Sequence, residues 1–259
     1  MKTCLIEQSC GLGDILMSTK MGTHYASQGY RVVWPVEPIY RNLAKNITVH
    51  PGIEFPCVHD TYDLKMQYEK LKRTQISNVT EVDDLLYVPL RRGIFSDFGV
   101  EMRKTFGHDE SNMLSKFGMC GIDYDDWQTY FTINRNKEKE QQLHDLLGIS
   151  ANDKIHLVNN RFGTPPTWEE HLQKNIETPS HLKRVQMTIL NGYDVFDWID
   201  IFERAEQIDT VSTSTFYIFE KLNMSCVPNI YSRNVGDRSY EDNWGWMEKL
   251  ALKKYNFIN

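Results

Sequence analysis

Residues 3–19 read TCLIEQSCGLGDILMST. A short apolar run, two glycines around a leucine, an aspartate and the start of an amphipathic stretch describe a buried strand that turns through a glycine loop into a helix. Residues 14–28 carry Ile15, Leu16, Thr19 and Tyr25 near helical spacing, and Gly29 supplies a stop. Gly22 lies inside that helix, where glycine costs about 1 kcal/mol relative to alanine. YRVVWPV at 30–36, rich in β-branched and aromatic residues, reads as the next strand. Strand, helix and strand over residues 3–36 make a βαβ unit, which implies a parallel sheet.

Outward from that unit the pattern continues. DDLLYVPL (83–90) reads as a strand, residues 109–118 as a helix and GIDYDDW (121–127) as an acidic turn. The charged stretch 134–150 reads as a helix with Leu143, Leu146 and Leu147 facing inward, and it marks a change in composition. A second βα series follows, with strands at 153–163, 184–193, 208–214 and 227–234 and helices at 194–207 and 215–224. The tail from 243 onwards reads as a helix that returns to the first half. The expected fold class is therefore α/β with two Rossmann-like domains, 1–140 and 141–259.

Composition narrows the function classes. The 259 residues are 41% hydrophobic and 25% charged, which is ordinary globular usage. A formal net charge of −6 argues against a generally basic nucleic-acid binder. The five cysteines are widely spaced without a C-x-x-C pair, so reduced thiols in a cytoplasmic setting are expected rather than a disulfide framework or a zinc site. MKTCLIEQSCG holds too few consecutive apolar residues for a signal peptide, and no run approaches the roughly 18 apolar residues of a membrane span.

The loop S-x-G-x-GD-I-L-x-S/T at 9–19, together with the late unit of short strand, Ser/Thr turn, helix, Pro and strand, resembles the GT-B glycosyltransferases, and within them the heptosyltransferase-like branch typified by ADP-heptose:LPS heptosyltransferases. The resemblance covers most of the chain in plan and two short stretches in motif. It implies a GT-B architecture, two facing Rossmann-like domains with an interdomain cleft, an acceptor-side first domain and a donor-binding second domain. It places on Asp14 the base that deprotonates the acceptor hydroxyl, and it implies an inverting transfer. That branch contacts the donor phosphates through an Asp-Thr-Gly followed three residues on by His. Here Ser212 stands for the Asp, Thr213 matches, Ser214 stands for the Gly and Tyr217 for the His, and Lys20 occupies the region where a Pro usually follows the first helical turn. These departures bear on the donor sugar more than on the fold.

Elementary chemistry makes the same residues candidates. Glycosyl transfer needs a base, positive charge or N–H dipoles for the departing diphosphate, and exclusion of water. An aspartate is ionised at neutral pH, and Gly11 and Gly13 allow a tight turn and close approach beside it; the bland alternative is that Asp14 only completes a helix start. Arg161, at a strand end with Asn159 and Asn160, can pair phosphate oxygens. Ser212, Thr213, Ser214 and Thr215 supply hydroxyls at a predicted helix start, although Ser and Thr are also ordinary N-caps. The Asp-x-Asp within DYDD (123–126) is a pattern that binds a divalent ion in metal-dependent glycosyltransferases, but it follows no clear apolar strand and no metal is expected. Cys10 has no evident base partner.

The leading expectation is a metal-independent glycosyltransferase with no cofactor beyond a nucleotide-sugar co-substrate. It would act on a glycan or another hydroxyl-bearing acceptor; modified DNA stays open as an acceptor, although the acidic balance argues against it. Two alternatives stay open: a nucleotide-sugar epimerase of the same fold, and an inactive nucleotide-binding or interaction protein.

Overall fold

The computed structural model describes residues 1–73, 76, 78–93, 111–162, 170–171, 174–233 and 247–258. The chain divides into two compact units. The first is Met1–Thr132 with Gly245–Leu250, the second Ile133–Trp244 with Ala251–Asn259.

The first unit is built on a five-stranded sheet. Its strands are β1 (Thr3–Ile6), β2 (Arg31–Val33), β3 (Ile53–Glu54), β4 (Thr80–Val82) and β5 (Leu85–Val88), in the order β3-β2-β1-β5-β4. β1 pairs in parallel with both β2 and β5, and β2 with β3, while β4 pairs antiparallel at the edge. Leu5, Val33, Tyr87 and Leu71 form a core on this sheet, Leu71 coming from α3 (Tyr62–Lys72).

The helix read over 14–28 is two helices, α1 (Leu12–Met17) and α2 (Thr19–Ser27). The break has a local cause. The Thr19 hydroxyl donates to the Leu16 carbonyl at 2.7 Å, the back-bonding by which Ser and Thr bend helices. Gly22 has a packing reason: a Cβ there would lie 2.9 Å from Ile53 Cδ1 and 3.3 Å from the Trp34 ring. A fourth helix, α4 (Ser111–Met119), falls close to the predicted 109–118.

The second unit also has a five-stranded sheet, and here every pairing is parallel. Its strands are β6 (Ile155–Asn159), β7 (Lys183–Gln186), β8 (Gln207–Val211), β9 (Asn229–Tyr231) and β10 (Asn256–Ile258), in the order β7-β6-β8-β9-β10. The division at 132/133 precedes the expected boundary at 140/141. Arg135 accounts for this, because it pairs with Glu140 on α5 (Lys137–Leu146) and with Glu203 on α6 (Ile199–Arg204), tying the charged helix into the second unit. The entry to α6 is fixed by a reciprocal capping box between Asp194 and Asp197. The tail is not one helix. Residues 247–250 are helical, Leu252 N–H and the Tyr255 hydroxyl then bond to buried Glu220, and the chain ends in strand β10 beside β9. Among the described residues no helix is long and apolar enough to cross a membrane.

A buried polar knot ties three strands of the second sheet. Asp209 on β8 accepts from His156 Nε2 at 2.6 Å, Gln207 Nε2 at 2.7 Å, the Tyr231 hydroxyl at 2.8 Å and Asn229 Nδ2 at 3.0 Å. Burial pushes its carboxyl up, but the hydrogen bonds from Gln207, Tyr231, Asn229 and His156 outweigh burial and hold it below the ordinary carboxylate range. A carboxyl so lowered contributes stability that is full above its unfolded value, near 3.9, and is lost as pH falls through the folded value. Asp209→Asn is expected to cost about 1–3 kcal/mol, because it leaves buried donors short of an acceptor. Urea unfolding at neutral pH should show the loss, and the variant should lack part of the wild-type fall in stability below about pH 4.

Candidate functional site

Parallel strands leave their polar residues at the carboxyl ends, where open α/β sheets take ligands. In the first unit β1 runs out into Glu7, Gln8 and Ser9, all buried. Trp34 Nε1 donates to the Gln8 carbonyl at 2.9 Å, and Glu37 N–H donates to the Ser9 carbonyl at 2.9 Å, so the exit from the strand is fixed on the β2 side. Gly11 then takes φ +79°, a conformation that favours glycine, and its carbonyl accepts the first helical bond from Ile15 N–H at 3.0 Å. Gly13 is buried within α1.

Asp14 sits in the first turn of α1 with about a third of its side chain exposed (34%). Its Oδ1 accepts from the ammonium of Lys116, a residue of α4 that is only 1% exposed. The same ammonium donates to Gln8 Oε1 at 2.8 Å, and Gln8 Nε2 donates to the Cys10 carbonyl at 2.5 Å. A Cβ on Gly11 would lie 2.5 Å from Asp14 Oδ2. The carboxylate is thus gripped from inside by Lys116, with its other oxygen against bare glycine backbone. Tyr40 lies close by; burial pushes its phenol up, opposed by backbone N–H groups of Gly11 and Leu12 directed at its oxygen. Burial also pushes the Cys10 thiol up, which disfavours a nucleophilic thiolate.

The acidic turn has a different role from metal binding. Buried Lys20 on α2 donates to Asp123 Oδ1 at 2.6 Å, Asp126 Oδ1 at 2.8 Å and the Asp125 carbonyl at 2.5 Å. Three donors meet three acceptors, and Asp126 adopts a left-handed φ of 54° to close the turn. Among the described residues no group of three or more His, Cys, Asp or Glu side chains is placed to hold a metal ion.

In the second unit the sequence candidates gather at the ends of β6 and β8. Asn159 Nδ2 donates to Thr210 Oγ1 at 3.0 Å, and Asn160 Oδ1 accepts from Gln186 Nε2 at 3.0 Å. Arg161 follows, half-buried, its N–H bonded to Asn159 Oδ1 at 3.3 Å. In the turn after β8, Thr213 and buried Thr215 share a hydroxyl contact of 2.9 Å, while Ser214 occupies the N-cap position with no side-chain capping bond. The helix that follows, α7 (Thr215–Phe219), is shorter than the predicted 215–224. Its end is stapled early, because Lys253 Nζ donates to the carbonyls of Phe219 and Leu222. So short a helix lends little dipole to an anion. Tyr217, at the position of the branch's His, is buried and packs edge-on to Phe216 with ring centroids 5.2 Å apart.

Sequence reasoning missed Lys116, Gln8 and Arg233. Arg233 Nε donates to the Ser212 carbonyl, and its guanidinium lies 5.7 Å from the centre of the Phe162 ring. Lys116 carried a usable signal: it sits between Leu114 and Phe117 on the apolar side of an amphipathic helix, where a lysine needs a partner.

The chain is therefore an α/β protein of two parallel-sheet units, each with polar residues clustered at its strand ends. By sequence it matches no family model and no curated protein. In structure it is similar to E. coli ADP-heptose LPS heptosyltransferase II, with a TM-score of 0.49, 11% identity and coverage of 100% of this chain and 90% of that one. It is also similar to the iron-containing dodecameric glycosyltransferase TibC of enterotoxigenic E. coli, with a TM-score of 0.49, 12% identity and coverage of 93% and 65%. A family 9 glycosyl transferase from Veillonella parvula gives 0.43 at 8% identity, with coverage of 89% and 80%. These are likenesses of fold at low sequence identity.

Gly11→Ala should be strained by its positive φ and push on the Asp14 carboxylate. The expected cost is about 1–2 kcal/mol in urea unfolding, and a crystal structure of the variant should show Asp14 turned away from Lys116.

Proposed function

We propose that this protein is a metal-independent glycosyltransferase that uses a nucleotide-sugar donor and an acceptor hydroxyl. The observation that carries the reading is Asp14 itself. It is a partly exposed carboxylate in the first turn of the helix that follows a parallel strand, anchored on one oxygen, with glycine where any side chain would crowd the other. Such a group can act as a positioned base, typically worth about 10²–10⁴ in rate.

In this reading Asp14 takes the proton of the acceptor hydroxyl. The acceptor oxygen bonds to the anomeric carbon as the bond from that carbon to the diphosphate oxygen breaks, with inversion. The nucleoside diphosphate leaves with the electron pair, and Asp14 gives its proton to solvent. In the second unit Arg161, with Asn160 and the hydroxyls of Ser212, Thr213, Ser214 and Thr215, holds the departing diphosphate. A guanidinium suits that task because it meets two phosphate oxygens at once. The similarity in fold to the E. coli ADP-heptose LPS heptosyltransferase puts ADP-heptose in the donor panel.

The test is a thermal-shift screen of UDP-, GDP-, ADP- and CMP-sugars, ADP-heptose included, followed by assay of nucleotide release with the member that stabilises most. A specific donor present at about 100 times its Kd stabilises by about 2.7 kcal/mol, a shift of several degrees. Asp14→Asn should keep that shift and lose about 10²-fold or more in transfer; Arg161→Ala should reduce the shift. A panel without any stabilising member, or Asp14→Asn at the wild-type rate, contradicts the reading. Conversion of the donor sugar without acceptor would point instead to epimerisation.

A further inference from the structure

We propose that Lys116 is the positioning residue for Asp14: its buried ammonium, anchored on Gln8, fixes one carboxylate oxygen so that the other faces the acceptor along the Gly11 backbone. The inference rests on the reading of Asp14 as the base.

The cost of the arrangement is the first argument. Lys116 is 1% exposed and lies in a run with buried Leu114, Ser115 and Phe117. A charge taken so far out of water is expensive unless paired, and an apolar side chain of similar volume generally serves a fold as well or better. Stability alone therefore does not call for an ammonium here.

Direction is the second argument. The ammonium meets two acceptors from two elements, Gln8 Oε1 at 2.8 Å at the end of β1 and Asp14 Oδ1 on α1. Gln8 is in turn immobilised, its carbonyl by Trp34 at 2.9 Å and its side-chain amide by the Cys10 carbonyl at 2.5 Å. Rigid support of this kind sets the carboxylate plane, and it commits Oδ1. The atom left for proton transfer is Oδ2, beside Gly11, where a Cβ would stand 2.5 Å away. The lysine holds Oδ1 while the glycine lies beside Oδ2, so the lysine never needs to touch the acceptor.

The test is a double-variant cycle of Lys116→Met and Asp14→Asn, read by nucleoside diphosphate release from the sugar nucleotide that gives the largest thermal shift in the panel above. Lys116→Met is expected to unfold within a few degrees of wild type. It should lower kcat by about 10²-fold, the scale of a misplaced catalytic group, with the donor KM unchanged. The double variant should be no slower than Asp14→Asn alone, and Lys116→Arg should recover part of the loss. A Lys116→Met enzyme at the wild-type kcat, or a double variant slowed by the product of the two single losses, overturns the proposal. Asp14→Asn at the wild-type rate would instead fail the base reading itself. Should Lys116→Met not fold, Gln8→Met takes its place: lower kcat at constant donor KM supports the role, and unchanged kcat overturns it.

Discussion

A lysine ammonium held out of water against the end of a parallel strand governs the first unit. Lys116 cannot stay buried and charged without Asp14 and Gln8, and neither of those is placed without the other parts around it. Trp34 sets the Gln8 backbone from β2, and Gly11 turns the chain so that Asp14 enters on α1. Lys116 thus links the Asp14 carboxylate on α1 to the segment after β1. The low-dielectric surroundings raise both the penalty for an unpaired charge and the strength of the pair that avoids it.

The second unit solves a related problem with hydrogen-bond donors from three strands. Asp209 is almost wholly buried, and its negative charge is spread over donors from β6, β8 and β9. The knot lies along the strands, and Asn160, Arg161 and Ser212 lie beyond it, past the carboxyl ends of β6 and β8. Lys20 provides a third variation, an ammonium whose three hydrogen bonds are all taken by one acidic turn. In each case a buried charge is tolerated because it is paired or hydrogen-bonded by groups from other parts of the unit.

Much of the architecture was legible in the sequence because it rests on local pattern. The apolar run at 3–6, the glycine loop and the βαβ order determine the parallel first sheet, and the same logic locates β6, β8 and β9. What was not legible depends on distant partners. No periodicity reveals that Thr19 would bend the first helix in two, that Lys253 would end α7 after five residues, or that residues 256–258 would join a sheet as a strand. The glycine-loop aspartate stood out because its neighbours in sequence are unusual. Lys116 is about a hundred residues away from it, at |i−j| of 102, and only folding brings the two together. The DYDD turn shows the converse. Its carboxylates look like ligands in sequence, yet Lys20 on a helix far upstream pairs with those of Asp123 and Asp126.

The assignment of Gly245–Leu250 to the first unit, with Ala251–Asn259 returned to the second, has a topological result. The polypeptide passes between the units three times, at 132/133, 244/245 and 250/251. A cut at 132/133 frees residues 1–132 but leaves 245–250, the rest of the first unit, on the fragment that carries the second. The edge strand β10 is delivered to the second sheet only after the chain has visited the first unit. Assembly of the second sheet is therefore a long-range event, with the slow loop closure that such connectivity imposes, and neither half is a module that a single cut could excise intact.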